Sequence, residues 1–568
     1  MASRLSVFLT ELKRRKVYRV AAVYAAVGVA ISIAVPDLFG AFGFPFWAAP
    51  FVIVVIVLGF PIALVLAWAY EVRPEEPPAD TASAARPPRK PGPAEVLPAS
   101  PGDTRKSIVV LPFDNMSPDP GDSYFSDGLT EELIAELSGI RDLRVISRTT
   151  AMKLKGSDKD IGAIARELNV QYVLEGSVRK AGDDLRITAQ LIDAGTDDHI
   201  GAERYSGTMD DVFGIQERLA RDIVEALKVS LSPEEQRRLS KPRITNPLAF
   251  ECYLRARQYV AQFTAEGEDR AIDLLEKALE IEGPNELLYT TMGFANTDFA
   301  FGSRPEEIIR QDAERWASKA LEMNPHSPGA RALLGSILFY EGRTQEAARE
   351  MKEVLQSDPD NDIALFYLYL AGIAGWSGHL DAARSYYERL RAVDPTTRGV
   401  NPSWFAFYEG DFEDSVEGYR VEWELDPESP YTRWAYGTNL AWAGHTDQAC
   451  EILTSILTDS PDTRPAPFAR FFLAALKGER GAAIAAMTPE FEASGKRDMQ
   501  NAMMIASGYA MLTMVDEAAS WLRQAMSRGF INYPFLAEHD PFLASIRSEP
   551  QVQEVLEEMR ERWEAFEP

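Results

Sequence analysis

Residues 334–359, LGSILFYEGRTQEAAREMKEVLQSDP, decide the fold of this 568-residue chain. Leu334, Gly335 and Leu338 share one helical face, Gly342 falls at a turn, and Ala347, Met351 and Val354 share the face of a second helix that Asp358 and Pro359 close. The frame returns as Ala383, Tyr387 and Leu390 before Pro395 with Gly378 at the turn, and as Ala449, Leu453 and Ile456 before Pro461 with Gly444 at the turn. Pro325, Pro359, Pro395, Pro427 and Pro461 stand 34, 36, 32 and 34 residues apart, each after a small polar residue. That period with a closing proline predicts stacked helix-turn-helix units, small residues falling where helices cross and large ones filling the seam. Such a stack leaves a long inner surface, so its expected role is to hold a partner rather than to make or break bonds.

At these residues the pattern resembles the tetratricopeptide repeat family. The units ending at Pro359, Pro395 and Pro461 match it closely, and the others loosen. Ser415 and Glu422 replace small residues before Pro427; Ala271, Leu275 and Ala278 begin the array before Pro284; the next unit carries an insertion around Phe301 to Pro305. A further pair is read at Met503 to Met526, with Ala518, Leu522 and Ala525 on one face, and Gln551 to Trp563 as a capping helix. An all-α superhelix of about eight helix pairs is expected over 245–568. In that family the first helix of each unit lines the concave face. Carried over from Gly335, Ala371, Ser403 and Gly437, this implies that Phe339, Tyr340, Trp376, Trp404, Phe407, Tyr408, Trp434 and Trp442 lie on or beside a groove for a protein or peptide partner. The other reading of these rings is half-buried packing between neighbouring helices.

A chain of this length, 46% apolar, is expected to fold as several modules. With 59 basic and 86 acidic residues the net charge is -27, which disfavours sequence-independent nucleic-acid binding, since that depends on neutralising phosphates. Only Cys252 and Cys450 are present, on helices of different repeats, so neither a disulfide framework nor a metal site is expected.

The first 73 residues differ in kind. A basic segment, 1–16, precedes an apolar run from Val20 to Val35, and a second run from Phe46 to Tyr70 has no charged residue, with Trp47, Trp68 and Tyr70 near its ends. These predict a two-helix transmembrane hairpin over 17–70 rather than a cleaved signal peptide. The loop from Pro36 to Pro45 lacks Lys and Arg while both flanks carry several, so the reading is a multi-pass bacterial inner-membrane protein with its soluble domains in the cytoplasm. Residues 74–103 are a Pro-rich linker, with nine prolines between Pro74 and Pro101, reaching at most about 90 Å.

Residues 106–230 read as a small α/β domain. Ile108 to Phe113 and Leu143 to Ile146 are apolar runs suited to buried strands, and helices are expected over 129–137 and 161–168. The period then changes to two: Leu185, Ile187, Ala189 and Leu191 alternate with Arg186, Thr188 and Gln190 between the flanking runs 170–178 and 199–205, an antiparallel meander turning at Ala181 to Asp183. Val212, Ile215, Leu219, Ile223 and Leu227 form an amphipathic closing helix. The runs IVVLPFDN (108–115), FSDGLTEE (125–132), YVLEGSVR (172–179) and QLID (190–193) resemble the TolB-like domain that precedes tetratricopeptide arrays in bacterial membrane proteins. The resemblance implies relatives in which this domain pair is joined to adenylate cyclase or winged-helix output domains. Only about 16 residues precede the first apolar run here, which leaves no room for either module at that end.

Asp127, Glu131 and Glu132 are residue types that can hold a cation or act as acid and base. Their place at a helix start instead assigns Asp127 to capping and the glutamates to the positive helix end. Glu175 and Arg179 share strand parity and read as a cross-strand charge pair. His379 and His445 follow turn glycines in equivalent repeat positions. No phosphate-cradling loop or dinucleotide fingerprint is present, and no catalytic residue, metal or cofactor is assigned. The expected function is a non-enzymatic, membrane-anchored scaffold or sensor acting through its repeat groove. The alternative is a regulatory subunit whose α/β domain binds a small molecule and signals to a separately encoded cyclase or transcription factor.

Overall fold

The computed structural model describes residues 105–568 apart from 158, 242, 262–263, 297–305, 374–376 and 397–400. The predicted hairpin of 17–70, the linker, the insertion at Phe301 to Pro305 and Trp376 therefore lie outside the described residues.

The α/β domain is one mixed sheet covered by helices. Its strands are β1 (Lys106–Val110), β2 (Asp114–Asn115), β3 (Leu143–Val145), β4 (Tyr172–Ala181), β5 (Asp184–Asp193) and β6 (Asp198–Thr208), in the order β3-β1-β4-β5-β6 with β2 beside β4. The apolar run at 108–110 pairs in parallel on both sides, Ile108 with Val145 and with Tyr172, and Ile108, Val109 and Val110 are wholly buried. Such two-sided burial is what a continuous apolar run requires. From β4 to β6 pairing turns antiparallel, and the alternation of β5 buries Leu185, Ile187, Ala189 and Leu191. Among the described residues four helices pack here: α1 (Ser123–Ser138), α2 (Arg148–Met152), α3 (Ile161–Leu168) and α4 (Val212–Ala226). α1 begins six residues before the helix expected at 129, running through Gly128. A Cβ at Gly128 would stand 2.7 Å from the Leu254 side chain, so glycine is used for close helix approach rather than as a breaker.

After α5 (Pro233–Leu239) come eight helix pairs: α6 (Pro247–Val260) with α7 (Ala265–Glu282), α8 (Glu286–Ala295) with α9 (Glu306–Met323), α10 (Pro328–Tyr340) with α11 (Thr344–Ser357), α12 (Asp362–Ile373) with α13 (Leu380–Val393), α14 (Ser403–Tyr408) with α15 (Phe412–Leu425), α16 (Pro430–Trp442) with α17 (Thr446–Asp459), α18 (Pro465–Leu476) with α19 (Arg480–Ala486), and, after α20 (Pro489–Arg497), α21 (Met499–Met511) with α22 (Val515–Ser527). α23 (Pro550–Glu564) ends the chain. The seam is the one the periodicity marks: Ala347, Met351, Val354, Ala383, Leu390, Ala449, Leu453, Ile456, Ala518, Leu522 and Ala525 are all buried. The chain is thus largely helical, a tetratricopeptide-like superhelix with a small mixed-sheet domain.

The expected multi-pass inner-membrane localisation is corrected: among the described residues no helix is long and apolar enough to cross a membrane. The 18-residue helices α7 and α9 carry nine and eight charged residues, because each shows one face to the core and the other to water.

Candidate functional site

The helix-to-helix turns of successive repeats are covered by the chain's own carboxyl-terminal segment. Residues 528–546 pass the turns of successive units: Arg528 lies against Gly342, Asn532 against Gly378 and His539 against Gly410. Gly342 has φ +80°, and a Cβ there would meet the Arg528 backbone at 2.5 Å, so both its conformation and its bareness are used. Phe530, Phe535, Leu536 and Leu543 of this segment are wholly buried. Phe535 lies 5.1 Å from the rings of both Phe407 and Tyr408, and Phe542 lies 4.8 Å from Trp442. Beyond it, Trp563 stacks on His379 at 5.5 Å, and the Glu567 N–H donates to Gln345 at 2.8 Å.

This packing divides the predicted groove residues. Phe339, Phe407, Tyr408 and Trp442 are buried, Trp404 and Trp434 half-buried, and Tyr340 is 45% exposed. The buried four serve as packing because the carboxyl-terminal segment and neighbouring helices cover their faces. The sequence signal for the cover was the aromatic spacing of Phe530, Tyr533, Phe535 and Phe542, which fits no helical or strand period. An acid of the segment itself is sealed in: Asp540 is fully buried, accepting from the Phe542 N–H and the Ser507 hydroxyl at 3.0 Å each. Burial pushes its carboxyl up to about 6.

A second concentration of polar groups joins the α/β domain to the repeats. Tyr253 donates to Glu132 at 2.7 Å, and Arg257 reaches Glu132 at 3.3 Å and Glu131 at 2.9 Å. Arg148 completes the chain, 2.5 Å from Glu131. Glu131 and Glu132 are each 5% exposed; Glu131 is held from both sides of the joint, by Arg148 and Arg257, and Glu132 by Tyr253 and Arg257 of α6. The expectation that they serve the helix end is corrected. Asp127 does not cap either: α1 starts after Asp122, and Asp127 pairs with Lys155 at 2.6 Å. Glu175 and Arg179 sit on one strand opposite Gln190 and Arg186, so they form no cross-strand pair. His379 and His445 occupy the caps of α13 and α17.

The domain also grips the end of α13. The Ser147 N–H donates to the Val393 carbonyl at 2.7 Å, Arg144 to the Ala392 carbonyl at 2.6 Å, and the Thr150 hydroxyl to Asp394 at 2.5 Å. Cationic Arg144 thereby satisfies a helix carboxyl end. Asp394, read from sequence as punctuation before Pro395, is a contact between domains.

Residues 338–400 match the tetratricopeptide repeat family. Residues 104–219 match the second domain of HilA/YgeH-like transcriptional regulators, where the sequence reading gave a TolB-like domain. Over 285 residues the chain is 39% identical to "Putative adenylate cyclase 3" of Rhizobium meliloti, covering 49% of this chain and 46% of that one. It is 23% identical over 120 residues to "DnaJ homolog subfamily C member 7 homolog" of Schizosaccharomyces pombe, covering 21% of each. The chain thus spans less than half the length of these relatives. Among solved structures, yeast Tom70 is similar over 62% of this chain and 82% of its own, at 15% identity and a TM-score of 0.31.

Proposed function

We propose that the chain is a non-catalytic scaffold that holds a protein partner on its repeats, with contact centred on the rings that the carboxyl-terminal segment leaves accessible: Tyr340, Trp404 and Trp434. The observation that carries this reading is the division of the aromatic row. Tyr340 is 45% exposed on a helix whose adjacent Phe339 is buried; its ring packs edge-on to Phe339 and Tyr367 and its open side offers surface for a partner. The test is to substitute Tyr340 and Trp404 by Ala in the full chain and measure co-purification of its partner. Loss of the partner with an unchanged thermal midpoint supports the reading; retention at wild-type yield ends it.

A second reading is favoured by the grip on α13 and by the adenylate cyclase relative. In it the α/β domain sets the state of the repeats, which act on an output protein encoded elsewhere. Thr150→Val with Asp394→Ala would then alter the partner's output without reducing its capture.

A further inference from the structure

A cavity of about 260 Å³ lies where the α/β domain meets the first repeats. α1 and α4 supply one wall, residues 239–241 with 243 and 244 another, and Phe250 of α6 with Leu287 of α8 the third. Junctions between domains are favoured places for small-molecule sites. Two buried polar atoms in this wall have no hydrogen-bond partner: Oε2 of Glu136 and Nε2 of Gln216, a residue only 8% exposed. Native interiors rarely leave such atoms unmatched, and here one is an acceptor and the other a donor on a single cavity. Glu132 and Glu217 also line the space but are committed, to Tyr253 and Arg257 and to Arg221 respectively. Lys241 and Arg243 line the solvent side, where both are exposed. Phe213 and Phe250, with ring centroids 5.2 Å apart, head an apolar wall continued by Leu239 and Ile244.

We propose that this junction binds a small zwitterion of the size and chemistry of an aliphatic amino acid, its ammonium on Glu136, its carboxylate between Gln216 Nε2 and the Lys241 and Arg243 cations, and its side chain against Phe213 and Phe250. Each unmatched atom then gains the partner its chemistry calls for, and each sign of charge in the wall meets its opposite. A single water would leave most of the volume empty, since a water takes about 30 Å³. Burial first, and the Glu132 charge second, push the Glu136 carboxyl up to about 8, against the pull of Arg243 and Arg238, with Glu217 adding to the rise. An arriving ammonium therefore displaces the proton of Glu136 to solvent. The inference is independent of which protein the repeats hold.

Calorimetric titration of the full chain with L-leucine at pH 7, in two buffers of different ionisation heat, tests it. Saturable binding is expected, with release of about one proton per ligand. 3-Methylbutylamine and 4-methylpentanoate, each carrying one of the two charges, should bind at least about tenfold more weakly. Glu136→Gln and Gln216→Leu should each weaken leucine at least about tenfold while preserving the unliganded fold by circular dichroism. No saturable heat to roughly 10 mM leucine, or unchanged affinity in both variants, would overturn the proposal, as would amine binding as tight as leucine.

Discussion

Replacing Asp540 by Asn should strengthen the packing of the carboxyl-terminal segment above neutral pH and do little below pH 4. Asp540 is fully buried beside Phe542 and Ser507, and Arg547, which donates to the Asp540 carbonyl at 2.6 Å, is a cation that offsets part of the cost. Its carboxyl is raised from 3.8 to about 6. A raised folded-state value means the protonated acid is preferred in place. Its contribution is thus complete below about pH 4 and lost as pH rises through about 6. Roughly two units at about 1.4 kcal/mol each set the loss near 3 kcal/mol. Asn keeps an acceptor for the Phe542 N–H and offers Ser507 a donor, without a charge to bury. Hydrogen exchange of the 530–546 region, corrected for intrinsic rates, reads this locally. Wild-type protection should fall between pH 4 and pH 8, and the variant should stay level, exceeding wild type at pH 8 by about 1–3 kcal/mol. Equal loss of protection in the variant at both pH values would refute the reasoning, showing the carboxylate to be a net favourable acceptor.

Arg257→Ala removes the cation shared by Glu131 and Glu132 and leaves two nearly buried carboxylates short of charge. A loss of about 3 kcal/mol is expected for the joint between α1 and α6, read as a lowered midpoint in urea at pH 7. Gly342→Ala should cost about 2–3 kcal/mol, because it combines a left-handed backbone with a clash against Arg528; a thermal midpoint unchanged within error would show that the covering segment yields at that turn.

The seam of the repeats was legible because it is periodic. Ala347, Met351 and Val354 recur at helical spacing, and a buried face imposes that spacing whatever the partner helix. The sheet domain was legible for the same reason at Leu185 to Leu191. What sequence periodicity does not carry is contact between distant elements. The helix expected from 129 runs on through Gly128, whose missing side chain makes room for Leu254, 126 positions later. Asp394 and Thr150 are 244 positions apart and meet only through the docking of the domains. The aromatic row was visible residue by residue, but the cover over Phe407 and Trp442 comes from an irregular stretch near the end of the chain. For the cavity, Glu136 and Gln216 are unremarked helix positions in the sequence. Their unmatched atoms exist only in three dimensions.

The central claim, that a protein partner is held on the accessible rings and not beneath the carboxyl-terminal segment, is tested most directly by photo-crosslinking. A photoreactive phenylalanine is placed singly at positions 340, 404, 434 and 442 of the full chain in its native cell. The first three positions should capture one and the same partner protein, while position 442 should yield an intrachain link to residues 540–543. Capture of that partner from position 442, or from none of the other three, would contradict the account.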